Sequence, residues 1–200
     1  MADFFFYRNL FKKGFYKIIN FTLYSWQFAR LGINSKIVNP MQIKNARFIS
    51  IGNNVTINDQ VFMMAEAYDS SNEVRLLIGN GCTIGYFNHI VAINKVIIGN
   101  NVLTADKVYI SDNYHDYTSL DLPIKKQPVK SKRETIIGDE CWIGENVSII
   151  SSKVGKHCVV AANSVVINDI PDYCVVAGAP AVVKKQYNLE LGKWISVKEL

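Results

Sequence analysis

The 200-residue sequence has no Cys-x-x-Cys pair among its four cysteines (Cys82, Cys141, Cys158, Cys174), which argues against a zinc ribbon or a dithiol redox centre. Histidine is scarce, at three residues, so a metal site built on several histidines has little to draw on, and no metal is expected. No apolar run approaches the ~20 residues of a membrane span. Residues 18–29 lack charge but fall well short of that length, and no small-residue cleavage site of signal-peptide type follows them. Charge of one sign is also modest. A net charge of +5 is too diffuse to argue a nucleic-acid partner, though it suits phosphorylated small molecules or an anionic membrane surface.

What is present is an apolar content of 49%, enough for one domain with a substantial core, and a six-residue register. Its key positions are Ile51, Ile57, Met63; Ile78, Ile84, Ile90; Ile98, Thr104, Ile110; Ile137, Ile143, Ile149; and Val154, Val160, Val166, thirteen of the fifteen being the branched aliphatics Ile or Val. Glycine often follows, at 52, 79, 85, 99, 138, 144 and 155. Four positions after the aliphatic stands a small or β-branched residue such as Val55, Cys82, Val102, Cys141, Val147, Cys158 or Ser164. An amphipathic helix needs a period near 3.6 and a half-buried strand a period of two, so six fits neither. It fits a triangular coil in which each hexad is a short strand and a tight turn, three hexads close one turn of the coil, and the aliphatic points inward. Fifteen such positions make about five stacked coils of parallel strands, an all-β fold. Cysteines at small inward positions are core residues of a reduced, cytoplasmic protein.

The register is interrupted by insertions at 65–75 and 111–134. Long loops on a rigid solenoid are where chemistry is expected. The expected organisation is an aromatic and basic N-terminal helical segment over 1–36, a coil domain over 37–183, and a C-terminal extension over 184–200. The N-terminal segment mixes aromatics with Arg8, Lys12, Lys13 and Lys17, and it has two readings: a helix packed on the protein or a neighbouring subunit, or a basic interfacial helix making peripheral contact with the inner face of a membrane.

The segments VYISDNYHDY (108–117), IIGDECWIGENVSII (136–150) and VGKHCVVAANSVVINDIPDYCVVAGAPA (154–181) carry a likeness. From residue 78 to 183 the sequence resembles the hexapeptide-repeat acyltransferases, in particular the maltose/galactoside acetyltransferase branch and the O-acetyltransferases of bacterial surface-polysaccharide clusters. The resemblance implies a left-handed parallel β-helix, a homotrimer with acetyl-CoA sites between neighbouring prisms, and a saccharide or a nucleotide- or lipid-linked sugar as acceptor. It implies His115 as general base, Asn88 as the residue that helps position the acceptor, and Trp142, Gly144 and Ala162 on the acyl-donor cleft. Asn163, Ile167 and Val182 depart from the family pattern; Lys184 or Lys185 would supply the charge that a basic residue at 182 usually brings to the CoA phosphates.

The chemistry is consistent with this. Acetyl transfer from a thioester needs a base for the acceptor proton, and neutral imidazole, with a reference pKa of about 6.5, suits that task. His115 lies in a polar loop, where Asp112 or Asp116 would orient the ring or simply cap the loop. No Ser or Cys stands in a nucleophile motif, so direct transfer without an acyl-enzyme is expected. His89 and His157 read as structural. The basic residues over 125–133 read either as a solvated loop or as a contact for phosphates. Three alternatives remain: an N-acetyltransferase acting on an amino sugar, a hydratase of the γ-carbonic anhydrase kind, and a non-catalytic solenoid.

Overall fold

The computed structural model describes residue 11 and residues 14–16, 18–67 and 72–197. The expected basic positions Arg8, Lys12, Lys13 and Lys17 lie outside the described residues. The chain winds into a left-handed parallel β-helix of triangular section with three walls. Wall A stacks Arg30–Leu31, Ile49–Ile51, Leu76–Ile78, Val96–Ile98, Thr135–Ile137 and Lys153–Val154. Wall B begins with Lys36–Ile37, Thr56–Ile57, Thr83–Ile84, Leu103–Thr104, Trp142–Ile143 and Val159–Val160. Wall C stacks Gln42–Lys44, Phe62–Ala65, His89–Ala92, Tyr109–Ser111, Ser148–Ile150 and Val165–Val166.

The register explains the core. Leu31, Ile51, Ile78, Ile98, Ile137 and Val154 follow one another in wall A. Ile43, Met63, Ile90, Ile110, Ile149 and Val166 do the same in wall C. Every aliphatic position of the register from Ile51 to Val166 is at most 3% exposed, so the period of six is the period at which the chain meets the interior. Each such side chain contributes roughly 1.5–3 kcal/mol on burial, and the core is one continuous column.

Six coils form, where the repeat suggested about five. The additional one, with Leu31, Ile37 and Ile43 as its inward residues, begins at Arg30, so the prism starts inside the segment expected to precede it. Its spacing of six, and Gly32 after Leu31, are visible in the sequence, but the step from Ile43 to Ile51 breaks the rhythm.

The turns need residues that accept left-handed backbone. Asn34, Asn54, Asn101, Asn146 and Asn163 all have positive φ, as does Gly81. At Gly79 the constraint is instead the stacking: a Cβ there would lie 2.5 Å from the carbonyl oxygen of Gly99 on the next coil. The cysteines occupy a single inward corner between walls A and B. The thiols of Cys82, Cys141 and Cys158 donate to the carbonyls of Gly99, Gly155 and Pro171 at 3.0, 3.0 and 3.1 Å. All four cysteines are free and buried; burial pushes the thiol of Cys82 up and that of Cys174 up to about 11.

Helical turns over the described residues from 11 to 27 cap the first coil, with Phe28 buried and Tyr24 packed on the core. At the other end Cys174–Gly178 continues wall B, and Ala181–Asn188 and Lys193–Ser196 add two antiparallel strands to it. No helix among the described residues is long and apolar enough to cross a membrane.

Candidate active site

The insertion after Ser111 is an ordered hairpin in which Asn113–His115 pairs antiparallel with Val129–Ser131 and His115 lies opposite Val129. Its roots are anchored by polar groups. Asp112, fully buried, accepts the backbone N–H groups of Ile93, Asn94 and Lys95 at 3.0, 2.7 and 2.6 Å. A buried carboxylate with three such donors is well satisfied and holds the loop base to the preceding coil. Asp116 accepts from Lys130 across the hairpin at 2.5 Å and from both the N–H and the hydroxyl of Thr118. The Lys130 ammonium and these bonds hold its carboxyl at about 2, and the same pairing pushes Lys130 up. Gln127 bonds the backbone of Ser119 and Leu122. Arg133 forks onto both carboxylate oxygens of Asp169 and donates to the carbonyl of Ser151.

The side chain of His115 is exposed and has no hydrogen-bond partner among the described residues. The two aspartates considered for orienting it are both committed elsewhere and act as loop anchors. A rigid hairpin thus presents a free imidazole to whatever lies in front of it. The basic stretch divides in the same way: Lys130 and Arg133 are bound to aspartates, whereas Lys125, Lys126 and Lys132 are exposed.

Asn88 is not where an acceptor could meet it. It is 1% exposed; its amide donates to the carbonyl of Ala105 at 2.9 Å, and its oxygen accepts from the N–H of Val108 at 3.1 Å. It stands four residues after Ile84, in the small inward position that Val61, Val108, Val147 and Ser164 fill on other coils, and there it ties one coil to the next. The assignment of Asn88 as an acceptor-positioning residue is therefore corrected to a structural one.

The residues expected on the donor side gather on wall B and its edge toward wall C. Trp142 is half exposed, and the register places Leu103 on one side of it and Val159 and Val175 on the other. Gly144 and Ala162 stack on consecutive coils: a Cβ on Gly144 would stand 2.6 Å from the backbone nitrogen of Ala162. Gly144 itself is buried, so its role is to let these coils close, while Ala162 is exposed beside it. Lys184 is exposed at an irregularity of the added strand. Lys185, paired with Val175, continues the stripe from Leu103 through Trp142. The stripe was missed in the sequence, although the residue preceding each inward aliphatic of wall B spells it out.

The geometry separates two halves. The His115 loop leaves after wall C and returns at wall A, so it stands at the prism edge opposite wall B. The three histidines are also apart. His89 is on wall C, its exposed ring stacked on Phe62 at 4.3 Å, where desolvation lowers its pKa. His157 is in a left-handed turn between walls A and B, 3.2 Å from Glu140. Among the described residues no three His, Cys, Asp or Glu side chains are grouped to hold a metal ion.

No family model matches the chain. It is 30% identical over 189 residues to a protein of Escherichia coli K12 named as the lipopolysaccharide biosynthesis O-acetyl transferase WbbJ, covering 90% of this chain and 92% of that one. It is 27% identical to the galactoside O-acetyltransferase of Lactococcus lactis, over 74% of this chain and 68% of the relative. Among solved structures, the Bacillus cereus N-acyltransferase AntD, in complex with dTDP and 3-hydroxybutyryl-CoA, superposes with a TM-score of 0.68 at 20% identity over 83% of this chain and 87% of its own. A hexapeptide-repeat acetyltransferase of Vibrio cholerae complexed with acetyl coenzyme A superposes with a TM-score of 0.54 at 23% identity, over 88% and 86%. With the register, the coil and the loop histidine already in place, these relationships make the chain a member of the hexapeptide-repeat acetyltransferases, in their saccharide O-acetyltransferase branch.

Proposed function

We propose that the chain moves the acetyl group of acetyl-CoA directly onto a hydroxyl of a saccharide, free or carried on a nucleotide or lipid, with His115 as general base. The observation that carries this is the exposed, unpartnered imidazole on a braced hairpin, in a chain of this family. In its neutral form the imidazole takes the hydroxyl proton as the oxygen attacks the thioester carbonyl. Collapse of the adduct expels the CoA thiolate, which takes that proton from the imidazolium and returns His115 to its neutral form. The four thiols, buried and bonded inward, support direct transfer without a cysteine acyl-enzyme.

The apolar stripe Leu103, Trp142, Val159 and Val175, ending at Lys185, suits the pantetheine arm with a cation toward the CoA phosphates; Lys184 stands beside it. Because the His115 loop and wall B lie on opposite sides of one prism, the complete site forms between chains. The histidine of one chain then faces wall B of the next in a cyclic homotrimer. The relatives' names favour a hydroxyl acceptor, and AntD, an N-acyltransferase, supports the amino-sugar alternative. Dependence on acetyl-CoA and the buried free thiols support a cytoplasmic location.

Thioester consumption with a panel of saccharides tests the reading. His115→Ala is expected to lower kcat by ~10²–10⁴ with little change in acetyl-CoA affinity. Near-normal turnover in that variant would refute His115 as the base.

A further inference from the structure

The N-terminal end of the prism is chemically unlike the rest of the molecule. Residues 1–58 carry eight basic side chains (Arg8, Lys12, Lys13, Lys17, Arg30, Lys36, Lys44, Arg47) against one acid, Asp3, a net charge of +7. The whole chain carries +5, so residues 59–200 are net −2. The excess of positive charge thus lies in the first 58 residues of the sequence, and among the described residues Arg30, Lys36, Lys44 and Arg47 bring it to the first coils.

The same end exposes apolar side chains. Trp26 and Ile33 are 78% and 76% exposed, and Phe15, Ile18, Leu23 and Met41 are exposed as well. They come from two sources, the helical cap and the turns of the first coil. The cap turns Tyr24 and Phe28 toward the core and leaves Leu23 and Trp26 facing outward. It also leaves a cleft of about 400 Å³ against the first coil, lined by Ile18, Leu31 and Ile33 among others.

Ile33 is informative because of what its column contains. At the same corner, Asn53, Asn80, Asn100 and Asp139 each use a side-chain oxygen to accept the N–H of the residue above, starting from Ile33 itself. Ile33 is at the top, where no coil remains to be served. A polar residue there would be costless, yet the position holds an exposed isoleucine.

We propose that this end of the prism docks on an anionic lipid bilayer, with Trp26, Leu23, Ile18 and Phe15 entering the interface and the basic residues meeting the headgroups. Exposed aromatics beside clustered basic residues, without a spanning segment, are the pattern of a peripheral interfacial anchor. Each basic residue near an anionic surface strengthens partitioning roughly fivefold. A second copy of the chain is the less suitable occupant, because two such ends would bring two sets of Arg30, Lys36, Lys44 and Arg47 together. Docking by the prism end leaves the walls and the His115 loop free, and it holds the enzyme where a lipid-carried saccharide, the acceptor class considered above, would be presented.

The test uses the full chain and vesicles, without any acetyl-transfer assay, so its failure is separate from failure of the catalytic reading. The chain is expected to co-sediment with phosphatidylcholine vesicles containing phosphatidylglycerol, weakly with phosphatidylcholine alone, and less as salt is raised. Trp26→Ser combined with Phe15→Ser should reduce binding by at least about tenfold, as should Lys12→Glu combined with Lys13→Glu, which alters charge and no apolar group. Leu191→Ser, an exposed apolar residue of the C-terminal strands, should bind as the parent does. Absence of binding to anionic vesicles, or equal binding by the Trp26/Phe15 and Lys12/Lys13 variants, would overturn the proposal. So would an end-to-end assembly of copies that Trp26→Ser disperses, which would assign the face to a second chain.

Discussion

Asn88→Ala separates a structural from a catalytic reading of that residue. The substitution removes two coil-to-coil hydrogen bonds, to the Ala105 carbonyl and from the Val108 N–H. Each contributes about 0.5–1.5 kcal/mol net, and the Val108 N–H, left buried without a partner, costs a further ~1–3 kcal/mol, part of which overlaps with the lost bond. A destabilisation of about 2–4 kcal/mol is expected, which for a chain of this size lowers Tm by roughly 5–15 °C. At 1% exposure the side chain touches no substrate, so below the transition kcat/KM should stay within about threefold of the parent. The assay is thermal unfolding followed by circular dichroism at fixed chain concentration, beside initial rates well below the transition. A hundredfold loss of rate with unchanged Tm would refute the structural assignment and return Asn88 to the active site.

The Asp116–Lys130 bridge sets an acid limit for the hairpin. The Asp116 carboxyl is lowered from 3.8 to about 2, so the stabilisation it supplies is complete above pH 3.8 and is lost as pH falls through about 2. Hydrogen exchange across Asn113–His115 should rise over that interval in the parent, whereas Asp116→Asn should exchange faster at neutral pH and show no such step. The four cysteines should resist a thiol reagent at pH 8 in the folded protein and react fully in denaturant, because burial raises Cys82 and Cys174 and all four lie in the core. Rapid modification of any of them in the native state would contradict their inward placement.

The prism itself was legible because its core repeats with a single spacing. Ile51 to Val166 announce the walls, and the glycines and asparagines between them announce the turns. The first coil was harder: Leu31, Ile37 and Ile43 keep the spacing, but an eight-residue step separates them from Ile51, and charged and aromatic neighbours mask them. Asn88 shows the opposite problem. The register alone assigns it inward, four residues after Ile84, whereas family likeness suggested a role that the packing denies it. The anchoring of Asp112 and Asp116 could not be read at all, since it depends on N–H groups at 93–95 and on Lys130, which only folding brings near. The exposed side chain of His115 was anticipated by its loop, but its separation from Trp142 required the three walls to be laid out in space.

That separation yields the most direct measurement of the account. His115→Ala and Trp142→Ala chains, each weakly active alone, are unfolded together and refolded as a mixture. If His115 of one chain works against wall B of the next, about a quarter of the interfaces in random trimers combine an intact His115 with an intact Trp142, and acetyl transfer recovers to about that fraction of the parent. A mixture no more active than the average of its parents would show that each chain carries its own complete site, or none, and would contradict the account.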